Sequence, residues 1–486
     1  MKGMLPVSMG SLLSYAFAAY LVVTGIFIIA ENRRPSATFA WMMLFALLPG
    51  AGVVVYLLFG RKVFGQTRRL AQQDLTNRLK PVLERLEPEH RAAMEALARE
   101  GEHDALIAQL IASTSLSHVS TGNRVELLRN ADAAYPALFE DLKRARHSIH
   151  LQYFSWGSDE LCEGLKDVLA QKVAEGVTVR ILYDPLGSLT MLKRSYLREM
   201  RAAGIMMRPL SKLWRIHTIS YRNHRKIAVI DGLVGHTGGL NIGGEHLEPP
   251  PGFDLWRDTN VRIEGTAVSL LQAVFVTDWR NATDEDILTL DLFPEPPADL
   301  AGARLPVQMA LSGPDSRWAS IRQLYFAMIT NARERICIQS PFFILDDTIA
   351  EALKTAALQG VDVRIMISER GTGQFLPYWA ANTYLKDVAR SGAKILLYRT
   401  GYLHAKIAAM DGRVCTIGSA NIDIRSFSIN YELNAVFYDE ALTRAVEADF
   451  DRDALECVEF TARDYAARKP WLRFRDSLAR LLSPLL

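Results

Sequence analysis

The sequence predicts an α/β protein made of two duplicated α/β/α sandwich halves behind a two-helix transmembrane hairpin, with one active site on the pseudo-two-fold between the halves. Three observations carry that prediction. Residues His224, Lys226, Asp231, Gly238 and Asn241 recur at identical spacing as His404, Lys406, Asp411, Gly418 and Asn421. Strand-like segments upstream recur as well: Ser148-Ile149-His150-Leu151-Gln152 with Arg335-Ile336-Cys337-Ile338-Gln339, and Gly176–Ile181 with Gly360–Ile365. Residues 3–30 and 35–60 carry no charge, and each exceeds the roughly 20 apolar residues that cross a bilayer core.

At 486 residues the chain is long enough for more than one hydrophobic core. Basic and acidic residues nearly cancel, 56 against 54, so net charge selects no partner. Cys162, Cys337, Cys415 and Cys457 are scattered without a Cys-x-x-Cys pair. That excludes a disulfide framework or a zinc site and reads as four small buried thiols in a reducing compartment.

The first expected span is Leu12–Ala30 and the second Thr38–Phe59, divided by Arg33 and Arg34. A charge at mid-bilayer costs about 2.5–3.5 kcal/mol on insertion scales, so the two arginines mark a loop. Ala16-Phe17-Ala18-Ala19 resembles a signal-peptide cleavage site, but the apolar run continues past it and a second stretch follows. Pro49-Gly50 and Gly52 are expected to kink the second span. Arg61, Lys62, Arg68 and Arg69 follow it, and the excess of positive charge puts the N-terminus and the large C-terminal part in the cytoplasm. The expected divisions are a hairpin over 1–60, a juxtamembrane helical linker over 61–122 with breaks at Pro81 and Pro88, and halves over 123–300 and 301–486.

Within each half, strands alternate with helices and show little polar alternation, as parallel strands covered on both faces do. Each motif then falls on a hairpin, turning at Asp231-Gly232 and Asp411-Gly412. Alternation along a strand puts His224 with Lys226 on one face, and His404 with Lys406. Asp231 and Asp411 complete the catalytic motif but lie at the turns, where we expect them to fix the backbone. The glycines fit either a tight turn or close backbone approach to a phosphate.

Two His, two Lys and two Asn in one pocket suit a phosphate. Lys is a poor companion for a divalent cation and no carboxylate cluster flanks either His, so no metal is expected. The lysines and Asn241 and Asn421 can cradle the charge that develops in a phosphoryl transition state. One His can attack phosphorus while the other handles the proton of the leaving and entering oxygens. Each needs a partner on its second ring nitrogen. Asp258 and Glu432, each a similar distance downstream of the His in its own half, are the candidates, with an ordinary surface carboxylate as the competing reading.

The paired motif resembles the phospholipase D superfamily, and its neighbourhood resembles bacterial cardiolipin synthases. The residues that carry this are Arg222-Asn223-His224-Arg225-Lys226, Thr237–Gly243, Trp256-Arg257-Asp258, Leu403-His404-Ala405-Lys406 and Gly418–Phe427, with Arg34-Pro35, Ala40-Trp41 and the ending Leu481–Leu486. The resemblance covers essentially the whole chain. It implies transfer of a phosphatidyl group between two phosphatidylglycerol molecules, giving cardiolipin and glycerol, through a phosphohistidine and with no metal or cofactor. It also implies His224 as nucleophile, His404 as acid/base, Asn241, Ser419 and Asn421 at the phosphate, and Asp258 and Glu432 as His partners. The motif spacing by itself does not order the two His. Pro249-Pro250-Pro251 and Glu245-His246 depart from the family wording and are read as shaping the lipid entrance.

A hydrolytic phospholipase D would use the same residues with water as acceptor. A nuclease is disfavoured by the membrane anchor, so no nucleic-acid partner is expected. A non-enzymatic scaffold has no need of both motifs. The implied partners are phosphatidylglycerol, cardiolipin and the bacterial inner membrane, and one chain holding both half-sites can act as a monomer. Two basic-aromatic stretches remain open in role. One is the run Arg208, Lys212, Leu213, Trp214, Arg215, Tyr221; the other is Trp471–Leu486, which reads as an interfacial amphipathic helix or as a helix docked on the domain.

Overall fold

The computed structural model describes residues 9–33, 35–60, 66–115, 117–211, 220–300, 302–373, 375–481 and 483. Arg34, Arg61, Lys62, Lys212, Leu213, Trp214, Arg215, Leu482 and Pro484-Leu485-Leu486 lie outside these residues, as do the side chains of 66–78. The described chain forms two compact units, one from its N-terminal apolar part and one from Gln66 onward that holds both α/β halves.

In the first unit, α1 (Met9–Ala30) is uninterrupted. Among the described residues, its segment Gly10–Ala30 alone is long and apolar enough to cross a membrane. The second apolar stretch breaks at Pro49-Gly50, where a kink was expected. α2 (Pro35–Leu47) ends at Leu48-Pro49-Gly50, and α3 (Ala51–Val55) runs into a π-helical turn at Tyr56–Gly60. Gly50 takes φ 79°, a conformation open to glycine, and Pro49 lacks the donor that would continue a helix. The stretch then doubles back. Arg33 donates to the Tyr56 hydroxyl at 3.3 Å and to the Gly60 carbonyl, and Tyr56 packs edge-on against Trp41 at 5.1 Å. A Cβ on Gly52 would stand 2.8 Å from the Leu44 carbonyl, so a glycine lets α3 lie against α2.

The second unit begins with α4 (Gln66–Glu100), which passes unbroken through Pro81 and Pro88. The expected breaks are absent because Leu79, Val82, Leu86, Ala93 and Leu97 are buried along one face. That packing offsets an intrinsic cost of ~3 kcal/mol per interior proline. α5 (Glu102–Ser115) buries Ile107, Ala108 and Ile111 in the core of the second half. The expected linker is therefore a strut built into the catalytic unit.

The first half runs β1 (Asn123–Arg129), α6 (Asn130–Arg144), β2 (Ser148–Tyr153), α7 (Glu160–Ala174), β3 (Thr178–Tyr183), α8 (Arg194–Ala202), β4 (Met206–Pro209), β5 (Ile227–Ile230), β6 (Val234–Gly238), β7 (Trp256–Arg257), β8 (Thr259–Gly265) and α9 (Val268–Thr283). The second runs β9 (Val307–Ser312), α10 (Ser320–Asn331), β10 (Arg335–Gln339), β11 (Phe343–Ile344), α11 (Asp347–Leu358), β12 (Asp362–Ser368), α12 (Leu376–Ala389), β13 (Lys394–Tyr398), β14 (Tyr402–Leu403), β15 (Ile407–Met410) and β16 (Val414–Gly418). It closes with β17 (Ile422–Asp423), α13 (Ile424–Ser428), β18 (Glu432–Tyr438), α14 (Glu440–Ala454), β19 (Cys457–Phe460), α15 (Ala462–Ala467) and α16 (Pro470–Leu481).

The sheets correspond strand for strand. The order β1-β8-β6-β5-β2-β3-β4 is repeated as β9-β18-β16-β15-β10-β12-β13, with β19 added at the far edge. Both are mixed rather than parallel. β2, β3 and β4 are parallel, joined through helical crossovers, whereas β5, β6, β8 and β1 pair antiparallel. One core crosses the boundary between halves: Ile227, Val229, Val261 and Ile263 pack with Ile417, Leu433, Ala435 and Phe437.

The motif hairpins are pinned by their aspartates. Asp231 sits at φ 54°, and its carboxylate accepts from the backbone N–H groups of Arg146, His147 and Ser148 at 2.7–2.8 Å. Asp411, at φ 52°, accepts from Arg333, Glu334 and Arg335 at 2.8–2.9 Å. Each aspartate thus ties the β5–β6 or β15–β16 turn to the start of the neighbouring strand, and its oxygens are engaged far from the His end of the hairpin. All four cysteines are free thiols, and burial pushes each up to about 12.

Candidate active site

The two motif strands meet because each half hydrogen-bonds to a backbone segment of the other. His224 N–H donates to the Tyr431 carbonyl at 2.9 Å, and Tyr431 N–H returns to Arg222 at 2.8 Å. On the other side β7 pairs parallel with β14, and His404 N–H donates to the Arg257 carbonyl at 2.7 Å. Tyr431 and Arg257 immediately precede Glu432 and Asp258, so each ladder delivers a carboxylate to the histidine of the opposite half.

The His–carboxylate pairs are therefore crossed. His224 Nδ1 lies 3.1 Å from Glu432 and 2.9 Å from the Ser419 carbonyl, and His404 Nδ1 lies 2.7 Å from Asp258. The sequence reading paired each carboxylate with the His of its own half. Chain proximity misleads here, since the partners are 208 and 146 residues apart. With Nδ1 taken in both rings, Nε2 is the nitrogen left for chemistry. Asp258 and Glu432 are fully buried, which removes the surface-carboxylate reading.

Lys226 Nζ donates to the His224 carbonyl at 2.7 Å, and Lys406 Nζ donates to that of His404. Burial, with Lys406 beside it, pushes Lys226 down to about 7; burial pushes Lys406 down to about 8 against the pull of Asp258 and Glu432. Burial followed by Lys406, Lys226 and His224 holds His404 well below the ordinary imidazole range. His224 is lowered by burial with Glu432 working in the other direction. Burial also raises Asp258, although Lys406 opposes it. Glu432 resists its own burial: His224, Lys226 and the Ser419 hydroxyl hold it below the usual carboxylate range. Two lysines and two histidines, each lowered chiefly by burial, thus face one pocket, an arrangement suited to an anion.

The remaining expected residues divide. Asn421 Oδ1 is buried with no hydrogen-bond partner among the described residues, whereas Asn241 Oδ1 accepts from Ser155 N–H at 3.2 Å. Ser419 directs its hydroxyl to Glu432. Its Oγ donates to Glu432 and accepts from Leu433 N–H at 3.0 Å, so its one proton is already used. The first half carries Gly239 at that position, where a Cβ would stand 2.0 Å from Asp258 Oδ1. A shorter carboxylate against glycine and a longer one against serine are two solutions to the same packing problem. Gly238 and Gly418 are likewise required by close approach of β8 and β18.

Several residues escaped the sequence reading. Asp278 accepts from Gln152, Asn223 and Arg225 at 2.7–2.9 Å and so braces the strand carrying His224. Asp453 accepts from Arg257 and Gln339 at 2.8–3.0 Å and braces the strand carrying Asp258. The signal was present, because Gln152 and Gln339 close the repeated segments. Phe154 lies edge-on to His224 at 4.9 Å, and Trp256 packs 5.1 Å from His404, tightening the walls of the pocket. His246, in the expected departure Glu245-His246, is buried with its ring 6.4 Å from that of His404, and burial pushes it down to about 3. Among the described residues no three His, Cys, Asp or Glu side chains stand together as a metal site.

The family described as cardiolipin synthase, phospholipase D-like domain, matches residues 138–279 and 325–454, and a phospholipase D-nuclease N-terminal family matches residues 16–61. The major cardiolipin synthase of Bacillus subtilis (strain 168) is 38% identical over 490 residues, covering 98% of this chain and 99% of that one. A cardiolipin synthase of Oceanobacillus iheyensis is 35% identical over 481 residues, covering 98% and 99%. Among solved structures, the phosphatidylserine synthase of Haemophilus influenzae Rd KW20 superposes with a TM-score of 0.57 at 14% identity over 74% of this chain and 95% of its own, a likeness of fold. The duplicated sheets, the crossed pairs and this full-length similarity agree: the chain belongs to the cardiolipin synthase family of phospholipase D-like proteins.

Proposed function

We propose that the protein is a cardiolipin synthase that joins two phosphatidylglycerol molecules and releases glycerol. The observation that carries this reading is the pair of histidines, each held at Nδ1 by the opposite half, around two buried lysines in a chain with full-length similarity to named cardiolipin synthases.

The phosphodiester of the first lipid, with its single negative charge, binds between Lys226 and Lys406. His224 Nε2 attacks phosphorus; the P–O bond to the glycerol headgroup breaks, and the departing oxygen takes a proton from His404. A hydroxyl of the second phosphatidylglycerol then gives its proton to His404 and attacks the phosphohistidine, which restores His224 and yields cardiolipin. Glu432 holds the ring of His224 and Asp258 that of His404, each stabilising the cation that forms opposite it. Asn421 and Asn241 supply neutral donors to the phosphate. A bound phosphodiester also favours the protonated form of His404, against the burial and the lysines that hold it low. Both half-sites, over about residues 123–300 and 301–486, belong to one chain, so a monomer suffices.

The catalytic unit is proposed to lie on the cytoplasmic face of the inner membrane, because four basic residues, Arg61, Lys62, Arg68 and Arg69, follow the apolar part. The chain could reach that face after a second crossing by residues 38–59 or after the single crossing of α1. A cysteine placed after Arg69, in a background lacking native thiols, should escape an impermeant thiol reagent in intact cells; labelling would put the unit outside.

In detergent with chelator present, wild-type protein should convert labelled phosphatidylglycerol to cardiolipin and glycerol, and His224→Ala and His404→Ala should lose at least about 1000-fold in rate. Phosphatidic acid as the main product would make the enzyme a hydrolase. The lysines predict a pH effect on binding. Their protonated forms are what the lipid phosphate needs, and in the free enzyme they are lost as pH rises through about 7 to 8. Binding takes up protons in that window, so KM for phosphatidylglycerol should rise with pH there; a KM flat from about pH 6 to 9 would contradict the lysine cradle.

A further inference from the structure

The C-terminal helix α16 satisfies both readings left open by its sequence. Its inner face docks on α12. Asp476, fully buried, accepts from Arg468 and Arg475 at 2.7 Å and from Asn382 at 3.2 Å, and Ala479 is buried beside it. Arg480 lies 4.4 Å over the Tyr384 ring and so fastens the far end. The outer face is apolar. Trp471, Phe474, Leu478 and Leu481 follow one another by three or four residues and form a single stripe, and they are 54–74% exposed. A fixed helix with four large apolar side chains turned away from the protein is unusual for a face meant for water.

The patch extends onto α12. Phe375, also exposed, stacks on Trp379 at 6.0 Å; Arg475 lies 4.2 Å over Trp379 and 5.9 Å from the Trp471 ring. One continuous surface thus runs Phe375–Trp379–Arg475–Trp471–Phe474. Its charge is one-sided. Arg473 and Arg475 flank the stripe, and the helix's only carboxylate, Asp476, is buried and paired. Arg473 has no carboxylate partner among the described residues. Large aromatics with arginines match the headgroup level of an anionic bilayer, where rings sit at the boundary and guanidinium groups meet phosphates, and the partly exposed acid of α12, Asp387, is paired with Lys386 and Arg480. The same α12 reaches the active site, since Tyr378 packs against the cluster that contains Trp256 and Tyr402 around His404.

We infer that the outer face of α16, with Phe375 and Trp379 of α12, is a second membrane contact: it lies in the headgroup region of an anionic phospholipid surface and holds the active-site mouth against the bilayer from which substrate is drawn. This rests on the reading that the substrate is a membrane lipid. The contact seats Phe474 and Leu478 among lipid and Arg473 among phosphates, while Arg475 stays paired with Asp476.

The test uses the full chain in nanodiscs, with its four native cysteines replaced by alanine and an environment-sensitive fluorophore on Phe474→Cys, or on Leu478→Cys if the first variant folds poorly. A label on Leu455→Cys, an exposed site at the end of α14, is the reference. In discs containing phosphatidylglycerol, the α16 label should shift to the blue and be quenched by lipids carrying a quencher near the headgroup, while the reference is not. Water-like, unquenched emission at both α16 sites would overturn the proposal, as would a shift that depends on protein density rather than lipid, the mark of a second copy. In a second arm, Phe474→Glu should cut turnover of vesicle phosphatidylglycerol roughly tenfold and leave short-chain monomeric phosphatidylglycerol unaffected. Equal loss on both substrates would reduce the residue to a structural role and overturn the proposal. If the wild type turned over neither lipid, the proposed function would fail, whereas the fluorescence would still decide whether α16 meets the membrane.

Discussion

Each histidine is fixed by the half that does not contain it. The ladders Arg222–Asn223–His224 with Tyr431, and β7 with β14, carry Glu432 to His224 and Asp258 to His404. Neither half can complete its own His–carboxylate pair, so the duplication is a single site by construction. The shared core of β5, β8, β16 and β18 side chains holds the two sheets in the one register that allows both exchanges. The turn aspartates and the buried pairs Arg225–Asp278 and Arg257–Asp453 then fix the strands from outside the pocket.

The second constraint is electrostatic. Two lysines and two histidines are buried with two carboxylates, and the carboxylates are committed to the histidines. Taking an ammonium out of water costs several kcal/mol, more than the pull of Asp258 and Glu432 offsets, which is why both lysines sit far below their ordinary values. In the proposed reaction, the lipid phosphodiester brings a negative charge beside the two lysines and lowers that cost. The same buried charge is what the proposed mechanism uses to stabilise a phosphoryl transition state.

Much of this was legible in the sequence, because identical spacing of five residues twice over is hard to produce except by duplication of a hairpin. His224, Lys226, His404, Lys406, Asp258 and Glu432 all come together, and the hairpin turns fall at Asp231-Gly232 and Asp411-Gly412. What escaped was what depends on three dimensions. Linear distance suggested pairing within halves, and only the strand exchange reverses it. Ser419 reads as a phosphate ligand until its hydroxyl is seen on Glu432. Pro81 and Pro88 are tolerated because tertiary burial of α4 outweighs local propensity. The kink expected at Pro49-Gly50 falls where α2 gives way to α3, but the contact of Gly60 with Arg33 that follows from it was not legible. The parallel reading of the strands failed in half of each sheet, because a buried antiparallel hairpin is as apolar as a parallel strand.

The crossing itself can be tested by a substrate whose leaving group needs no proton. A phosphatidyl ester of p-nitrophenol would release nitrophenolate on attack by the nucleophile without help from His404. Stopped-flow release would then isolate the first step in wild type, Glu432→Gln and Asp258→Asn, with the phosphatidyl-enzyme located by peptide mapping. Crossed pairing with His224 as nucleophile predicts that Glu432→Gln loses the rapid burst, whereas Asp258→Asn keeps it and accumulates label on His224. Loss of the burst in Asp258→Asn with retention in Glu432→Gln would contradict that account.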